Sequence, residues 1–270
     1  MKASYDGKEI KPTGNFDDLV EIMYILRREC PWDRKQTHES IKDLMVEEIY
    51  EAIEAIDNKD MDDLKKELGD ILLHVVFHSE MADQSGEFSI KDVIREIQDK
   101  LIRRHPHVFA ETDAGDSEAV KKNWESLKMQ EKERKSVLQG VPKTLPGLIR
   151  AQRMQEKAGA VGFDWKKWKE AWVKLEEELQ EFKNEADDQS PEQLKDEFGD
   201  VLFSMVNVGR LLGLDAEDSL RLTNNKFQQR FEYIEEKLSS KGLNPKDVSL
   251  EEMDKLWEEA KSLDVNRTPD

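Results

Sequence analysis

The sequence predicts an all-α protein made of two tandem helical domains. Its 270 residues include only 13 Gly and 8 Pro, whereas 38% of them are charged. Long stretches are rich in Glu, Lys, Leu, Asp and Ala, a composition typical of helices. A pair of acidic motifs occurs twice, with Glu178 following Glu48 by 130 positions. A repeat of that length has the size of a domain, so it indicates domain duplication and not a short solenoid repeat.

Apolar periodicity places five helices in each half of the chain. In the first half, the predicted helices span residues 15–29, 39–57, 60–83, 90–104 and 117–133. In the second half, they span residues 145–159, 166–187, 191–212, 215–240 and 249–263. Residues that favour helix N-caps stand at several of these starts: Thr37 or Ser40, Asp60, Ser89, Ser190 before Pro191, and Ser249 with Glu252.

The two halves are predicted to meet in a linker over residues 136–146. One Gly and two Pro interrupt the helical pattern there, as such residues do in linkers. The predicted domains are therefore residues 1–135 and 147–270. Helical hairpins with wide apolar faces cannot cover themselves fully, so we also expect a homodimer in which two copies complete the bundles.

The composition argues against several classes of protein. The net charge of −18 disfavours nucleic-acid and anionic-membrane partners, because both require a basic surface. Cys30 is the one cysteine, so no internal disulfide framework can form. The N-terminus lacks the apolar core of a signal peptide, and no run of about 18 apolar residues is present. We expect a soluble, cytoplasmic protein with no membrane partner.

The duplicated acidic motifs are the strongest functional signal. Each consists of Glu-Glu-x-x-Glu followed by Glu-x-x-Asp, and the second element begins 16 positions after the last Glu of the first in both copies. One such motif alone is usually a solvated helix face, since Glu is a good helix former. A solvated face has no reason to reproduce the interval, so the duplication favours a functional role.

Helical geometry places these acids at the edge of an apolar stripe. At about 100° per residue, Glu48 and Glu51 lie on one flank of their helix, and Glu67 and Asp70 lie on one flank of the next. The stripes are Ile41, Met45, Ile49, Ala52, Ile53 and Ile56 in the first helix, and Leu64, Leu68, Ile71, Leu72 and Val75 in the second. If the helices form an antiparallel hairpin, both acidic flanks line one groove.

Four carboxylates in one groove repel one another unless a cation compensates their charge. Oxygen ligands without Cys suit Mg²⁺ or Mn²⁺, and Mg²⁺ accepts phosphates as further ligands. A nucleotide or another polyphosphate is therefore the expected substrate class. Gly69 and Gly199 stand at the same place in the two motifs, and each is expected to allow close approach of a neighbouring helix.

The acidic motifs resemble the signature of the MazG nucleoside triphosphate pyrophosphohydrolases, within the all-α NTP pyrophosphatase superfamily. The resemblance to two-domain bacterial MazG proteins covers nearly the whole chain. Glu29 is a departure, because a Gly is expected before the Cys-Pro-Trp-Asp block. Further blocks typical of the family are Cys30–Thr37, Arg104–Phe109, Val141–Lys143 and Val161–Trp165.

The resemblance implies Mg²⁺-dependent hydrolysis of an NTP, or a dNTP, at the α–β bond to give NMP and pyrophosphate. The carboxylate pattern itself does not distinguish α–β from β–γ cleavage. In the second half, the residues implied to be catalytic and to hold the metal are Glu178, Glu181, Glu197 and Asp200. Their counterparts as metal ligands in the first half are Glu48, Glu51, Glu67 and Asp70.

Basic and aromatic residues complete the expected nucleotide site. Lys226 and Arg230 share a helix face and suit phosphate binding, and Lys100 and Arg104 repeat the pair in the first half. Trp257 is expected to stack on the base or cover the pocket. Lys174, Glu177 and Lys195 resemble nucleotide-contacting positions of the family. Leu44 stands where Lys174 would be in the first half, which favours the second half as the principal catalytic site.

Several residues are expected to have structural roles instead. His74 and His78 are interpreted as structural or as supports of the metal ligands, because the second half has Ser204 and Val208 there. Two aromatic sets are expected to pack in the core: Trp165, Trp168 and Trp172, and Phe227 with Phe231. Two other functions stay open: a nucleotide sensor or scaffold with little turnover, whose first half is regulatory or dimerising, and an inert helical interaction protein.

Overall fold

The computed structural model describes residues 3–109, 136–188 and 191–265. Its contacts divide the chain into two units, Met1–Trp124 and Glu125–Asp270. The point of division lies outside the described residues, as does the helix predicted at residues 117–133. The predicted domain limits therefore stay predictions.

The first unit starts with a short antiparallel hairpin that the sequence did not predict. Strand β1 (Ala3–Tyr5) pairs with strand β2 (Lys8–Ile10). Asp6 and Gly7 make the turn, with φ values of 47° and 75°, as a two-residue hairpin turn requires. Strands of three residues are too short to show a periodic pattern, which is why they escaped prediction.

The longer elements in the described part of the first unit are helices. They are α1 (Phe16–Glu29), α2 (His38–Asp57), α3 (Met61–Gln84), α4 (Ile90–Arg104) and the short α5 (Pro106–Phe109). Helices α2 and α3 pack as a hairpin across a three-residue connection, and α1 and α4 pack on α3. The core of the unit comprises Met23, Ile41, Val76, Phe77 and Met81.

Side-chain caps fix where these helices begin. Thr37 is the N-cap of α2, and it exchanges hydrogen bonds with Ser40 in a capping box. An oxygen of Asp60 accepts hydrogen bonds from the first backbone N–H groups of α3, and Ser89 forms a capping box at α4. The caps predicted at these positions are confirmed. Of the two candidates for α2, Thr37 is the N-cap, and the Ser40 hydroxyl accepts a hydrogen bond from the Thr37 backbone N–H in return.

The second unit repeats the arrangement. Its helices are α6 (Gly147–Ala160), α7 (Trp168–Asp188), α8 (Pro191–Leu211), α9 (Ala216–Ser239) and α10 (Leu250–Val265). Helices α7 and α8 form the hairpin, α6 packs on α8, and α9 packs on α10 and α6. Ala171, Leu175 and Val208 are the buried centre of the hairpin. The all-α prediction is confirmed, and no helix within the described ranges combines the length and apolar character needed to span a membrane.

Helix α3 buries a different face from the one predicted. Leu68 and Leu72 belong to the predicted stripe but are 54% and 40% exposed, whereas Glu67 and His74 are 9% and 7% exposed. Helix α3 has apolar residues on more than one side, and packing with α1 and α2 selects the side that carries Glu67 and His74. The leucine side is left open.

Three other predictions about packing inside a single copy of the protein are wrong. A Cβ atom added to Gly69 or Gly199 would meet nothing within 4 Å, so no helix among the described residues approaches closely there. Phe227 is 59% exposed and does not pack in the core. The aromatic set expected in the core is also exposed: Trp165, Trp168 and Trp172 are 42%, 38% and 41% accessible.

Candidate metal and nucleotide site

The α7–α8 hairpin brings three predicted ligands of the second unit together. Glu178 lies on α7, while Glu197 and Asp200 lie one turn apart on α8. One oxygen of each lies within 4.8 Å of the others. We call these three residues the second trio. Helix packing thus joins side chains that are 19 or more positions apart in the sequence.

The first unit repeats this geometry. Glu48 on α2 and Glu67 and Asp70 on α3 place one oxygen each within the same 4.8 Å. We call them the first trio. The fourth predicted ligand in each unit lies beside the trio and not in it. Burial and then the interaction with Glu67 raise the pKa of Glu51, and burial and then the charge of Glu178 raise the pKa of Glu181.

Crowding of carboxylates changes their acidity. Burial raises the pKa of the Glu197 carboxyl above its ordinary 4.5, and the charges of Glu181, Asp200 and Glu178 raise it further. Burial followed by the charge of Glu178 also raises the pKa of Glu181. In the first unit, burial and then the charge of Asp70 raise the pKa of Glu48. Each unit therefore concentrates negative charge that a cation would relieve.

The donor set fits a hard divalent cation. All of the ligand atoms are carboxylate oxygens, the type that Mg²⁺ and Mn²⁺ prefer. One oxygen of Glu197, Oε2, is buried and has no hydrogen-bond partner within the described residues. A buried polar atom without a partner is costly, and coordination would satisfy it.

The two trios differ in one basic neighbour. Lys174 Nζ lies 2.8 Å from Glu177 Oε1 and 2.9 Å from Glu178 Oε1. These contacts raise the pKa of Lys174, because hydrogen bonds to the two carboxylates favour the ammonium form. Leu44, one turn before Glu48 in the first unit, offers no charge and is 39% exposed. The sequence identified Lys174 as a nucleotide contact but not as a partner of Glu178.

An aromatic and basic cluster spans α9 and α10. The Arg230 guanidinium lies 5.3 Å from the centre of the Trp257 ring, and Phe227 packs on that ring at 5.2 Å. Tyr233 donates a 2.6 Å hydrogen bond to Glu259, which ties the two helices together. Trp257 and Arg230 are thus held against each other, with exposed Lys226 one turn away.

The remaining predicted contacts are on accessible or partly accessible surface. Lys195 is exposed on α8, two positions before Glu197. Lys100 and Arg104 are half-buried at the end of α4. Trp124 stands in the first half at the place that Trp257 has in the second half. It lies outside the described residues, so its position relative to Lys100 and Arg104 is not described.

Three histidines gather next to the first trio. His38 Nδ1 and His78 Nδ1 are 2.7 Å apart, and the rings stack with 5.0 Å between centres. Burial lowers the pKa of His74 against the opposing effect of Asp70. Burial and the charges of His38 and His74 lower the pKa of His78. The burial of His74 and the lowered pKa values of His74 and His78 fit a structural role, and His38 was missed because it stands alone in sequence.

The sequence also missed an ion pair that holds the turn before α7. The Arg210 guanidinium donates to both Asp164 oxygens, at 3.0 and 2.6 Å, and to the side-chain oxygen of Asn207. Asp164 and Arg210 are 46 positions apart, so no local pattern signals the pair. A cavity of about 510 Å³ lies beside it, lined by α6, the turn and α8.

Comparison with known proteins identifies the family. The sequence matches the MazG nucleotide pyrophosphohydrolase domain over residues 36–109 and 169–234. A Thermotoga maritima protein described as nucleoside triphosphate pyrophosphohydrolase/pyrophosphatase MazG is 48% identical over 254 residues, which are 92% of this chain and 96% of that protein. A nucleoside triphosphate pyrophosphohydrolase of Escherichia coli K12 is 41% identical over 258 residues, covering 93% of this chain and 98% of that protein.

A crystal structure of a mazG-related protein from Thermotoga maritima is 28% identical, with a TM-score of 0.38, and covers 42% of this chain and 97% of that one. The two segments that match the MazG domain, residues 36–109 and 169–234, each contain one carboxylate trio. With both motifs matched and two relatives aligned over nearly their full length, the chain belongs to the MazG nucleotide pyrophosphohydrolase family.

Proposed function

We propose that the protein hydrolyses nucleoside triphosphates at the α–β bond to NMP and pyrophosphate, with Mg²⁺ as cofactor and the principal site in the second unit. The observation that carries the proposal is the second trio, with its buried and unpartnered Glu197 Oε2 among the described residues. Membership of the MazG family supplies the reaction, since both relatives are described as nucleoside triphosphate pyrophosphohydrolases. The position of the cleaved bond also rests on the family.

Glu178, Glu197 and Asp200 would hold the cation, with Glu181 beside them as the fourth ligand. When bound, Mg²⁺ or Mn²⁺ neutralises the charge that develops on phosphate oxygens during the reaction. The protein side chains do the remaining work. A trio carboxylate, for which we favour Glu178, accepts a hydrogen bond from the attacking water and orients it toward the α-phosphorus.

Lys226 and Arg230 hold the phosphate tail in this proposal. Arg230 can make two parallel hydrogen bonds to phosphate oxygens, and Lys226 adds a point charge. Trp257 offers an aromatic face for the base, and the Arg230 contact already fixes the orientation of that ring. Lys174, Glu177 and Lys195 contact the nucleotide from the hairpin.

The first unit has the matching ligands Glu48, Glu67 and Asp70, with Glu51 beside them, and Lys100 and Arg104 as its basic pair. It has Leu44 in place of a lysine, which supports a secondary role for this unit. A nucleotide-binding or dimerising function for the first unit, with little turnover, is the alternative that this difference favours.

A homodimer is part of the proposal. Both hairpins leave large apolar side chains open on α3 and α8: Leu68 is 54% exposed, Leu72 40%, Phe198 51% and Leu202 42%. Clustered exposed apolar side chains favour association. We also propose a cytoplasmic location, where nucleotides are abundant and a lone thiol such as Cys30 stays reduced.

Product analysis tests the function. The protein is mixed with each common NTP and Mg²⁺, and NMP, pyrophosphate, NDP and free phosphate are quantified. NMP with pyrophosphate is the expected result, and it should be lost when Glu197→Gln removes a ligand of the second trio. NDP with free phosphate would contradict α–β cleavage. Nucleotide binding without products would favour the sensor.

A further inference from the structure

Lys174 occupies an unusual position for a surface lysine. Its ammonium bonds one carboxylate of the second trio, Glu178, whose side chain is only 8% exposed. It also bonds Glu177, which is 55% exposed and stands outside the trio. Lysines on a helix commonly pair with exposed acids three or four positions away. Here one of the two partners is buried and is a proposed metal ligand.

We propose that Lys174 is an internal counter-ion of the second trio, which competes with the divalent cation for Glu178 until a nucleotide draws the lysine away. This inference rests on the proposed function. A divalent cation and an ammonium group on the same carboxylate repel strongly at such short range. Binding of either one to Glu178 therefore weakens binding of the other.

The side chain is suited to such an exchange. Lysine carries its charge on a flexible four-carbon stem and bonds as a point charge, so it changes partner without a fixed geometry. Glu177 keeps the ammonium paired when it leaves Glu178, because the two contacts already coexist at 2.8 and 2.9 Å. A triphosphate offers the lysine a further anionic partner and thereby favours its departure.

The duplicated unit serves as a natural comparison. The first trio has the same three ligands within the same 4.8 Å, but Leu44 takes the place of the lysine. Without nucleotide, the first trio should therefore bind a free cation more tightly than the second. The consequence for function is that the second unit binds its cation more tightly when a nucleotide is present than when it is absent.

The simpler explanation is an ordinary surface ion pair with no effect on metal binding. Exposed pairs of this kind contribute little, and many contribute nothing measurable. The two explanations predict different affinities for a metal offered alone, so binding of Mn²⁺ in the absence of nucleotide separates them.

The test uses the full-length protein carrying Glu48→Gln and Glu67→Gln, so that only the second trio binds. Mn²⁺ affinity is measured by electron paramagnetic resonance with no nucleotide present. Adding Lys174→Met should tighten Mn²⁺ binding about tenfold, as expected for removing a competing charge at short range. The control is Lys183→Met, which removes the same charge from an exposed position of the same helix and should change the affinity less than about twofold.

The reciprocal variant is Leu44→Lys in a protein whose second trio is disabled by Glu178→Gln and Glu197→Gln. It should weaken Mn²⁺ binding at the first trio about tenfold. Circular dichroism checks that each variant is helical, and the reciprocal variant still decides the question if Lys174→Met does not fold. Unchanged affinity in both variants overturns the inference and leaves the proposed function intact. Absence of Mn²⁺ binding in every variant overturns both.

Discussion

Gly159→Ala tests whether the Asp164–Arg210 ion pair holds the turn before α7. Alanine near the end of a helix ordinarily stabilises relative to glycine, by up to about 1 kcal/mol. At Gly159, however, a Cβ atom would lie 2.7 Å from Asp164 Oδ2 and 3.3 Å from its Cγ. The carboxylate must move, and the bonds it accepts from Arg210 at 3.0 and 2.6 Å must lengthen or break.

The magnitudes decide the sign of the effect. A hydrogen bond to a charged group contributes about 1.5–3 kcal/mol. The side chains of Asp164 and Arg210 are 25% and 13% exposed, so water recovers part of that loss. Arg210 also keeps its bonds to Asn207. We expect a cost of about 2 kcal/mol for the pair. Subtracting the helix gain leaves a net destabilisation of about 1 kcal/mol.

Urea unfolding, followed by helicity at 222 nm and by tryptophan fluorescence, measures the change in unfolding free energy. Gly209→Ala is the matched control, because its Cβ would meet only Leu214 Cβ at an ordinary 4.0 Å near the end of α8. It should stabilise the protein. In an Asp164→Ala background the obstruction is gone, so Gly159→Ala should become stabilising too. Stabilisation by Gly159→Ala in the unmodified protein, equal to that of Gly209→Ala, would refute the reasoning.

Four further outcomes are expected. Glu197→Gln should lower kcat for pyrophosphate release at least about 100-fold with helicity unchanged, since it removes a ligand of the proposed catalytic metal. The control Glu67→Gln should lower kcat less than about threefold. Equal losses of kcat would contradict a principal site in the second unit. Trp257→Ala should raise KM several-fold with a smaller effect on kcat, and an unchanged KM in steady-state kinetics would rule out base stacking. Because a ligand must lose its proton and the pKa values of Glu181 and Glu197 are raised, Mn²⁺ affinity should fall as pH is lowered through a range above the ordinary 4.5. In the metal-free protein the same groups keep their protons to higher pH when folded than when unfolded, so their contribution to stability should decline as pH rises through that range. Mn²⁺ affinity and the free energy of unfolding, each measured at several pH values between about 4.5 and 7.5, check the two directions.

Local signals explain which features the sequence predicts correctly. The long helices of the described ranges begin and end within about two residues of prediction, because caps such as Thr37 and Asp60 act on their own neighbours. The duplicated acidic spacing indicated which carboxylates belong together, and the trios contain six of the eight residues named. Glu51 and Glu181 are outside the two trios, a difference that a helical wheel does not resolve.

Long-range contacts explain the rest. Which side of α3 is buried depends on α1 and α2, so the sequence pattern alone assigned Leu68 to the wrong face. The Asp164–Arg210 pair and the His38–His78 contact join positions 46 and 40 residues apart. Trp165 stands in the turn before α7 and lines the cavity beside α6 and α8, where it stays 42% exposed, a placement that depends on residues far from it in the sequence.

Residue spacing along single segments was sufficient to specify the helices, the duplication and the acidic residues that form the two trios. Tertiary packing was needed to establish that Glu178, the partner of Lys174, is buried in the second trio, while Leu44 stands in the corresponding place beside the first trio. The physical reason is that the contact between Lys174 and Glu178 joins residues four positions apart on one helix, whereas the burial of Glu178 arises where α7 packs against α8. No single helix encodes that packing.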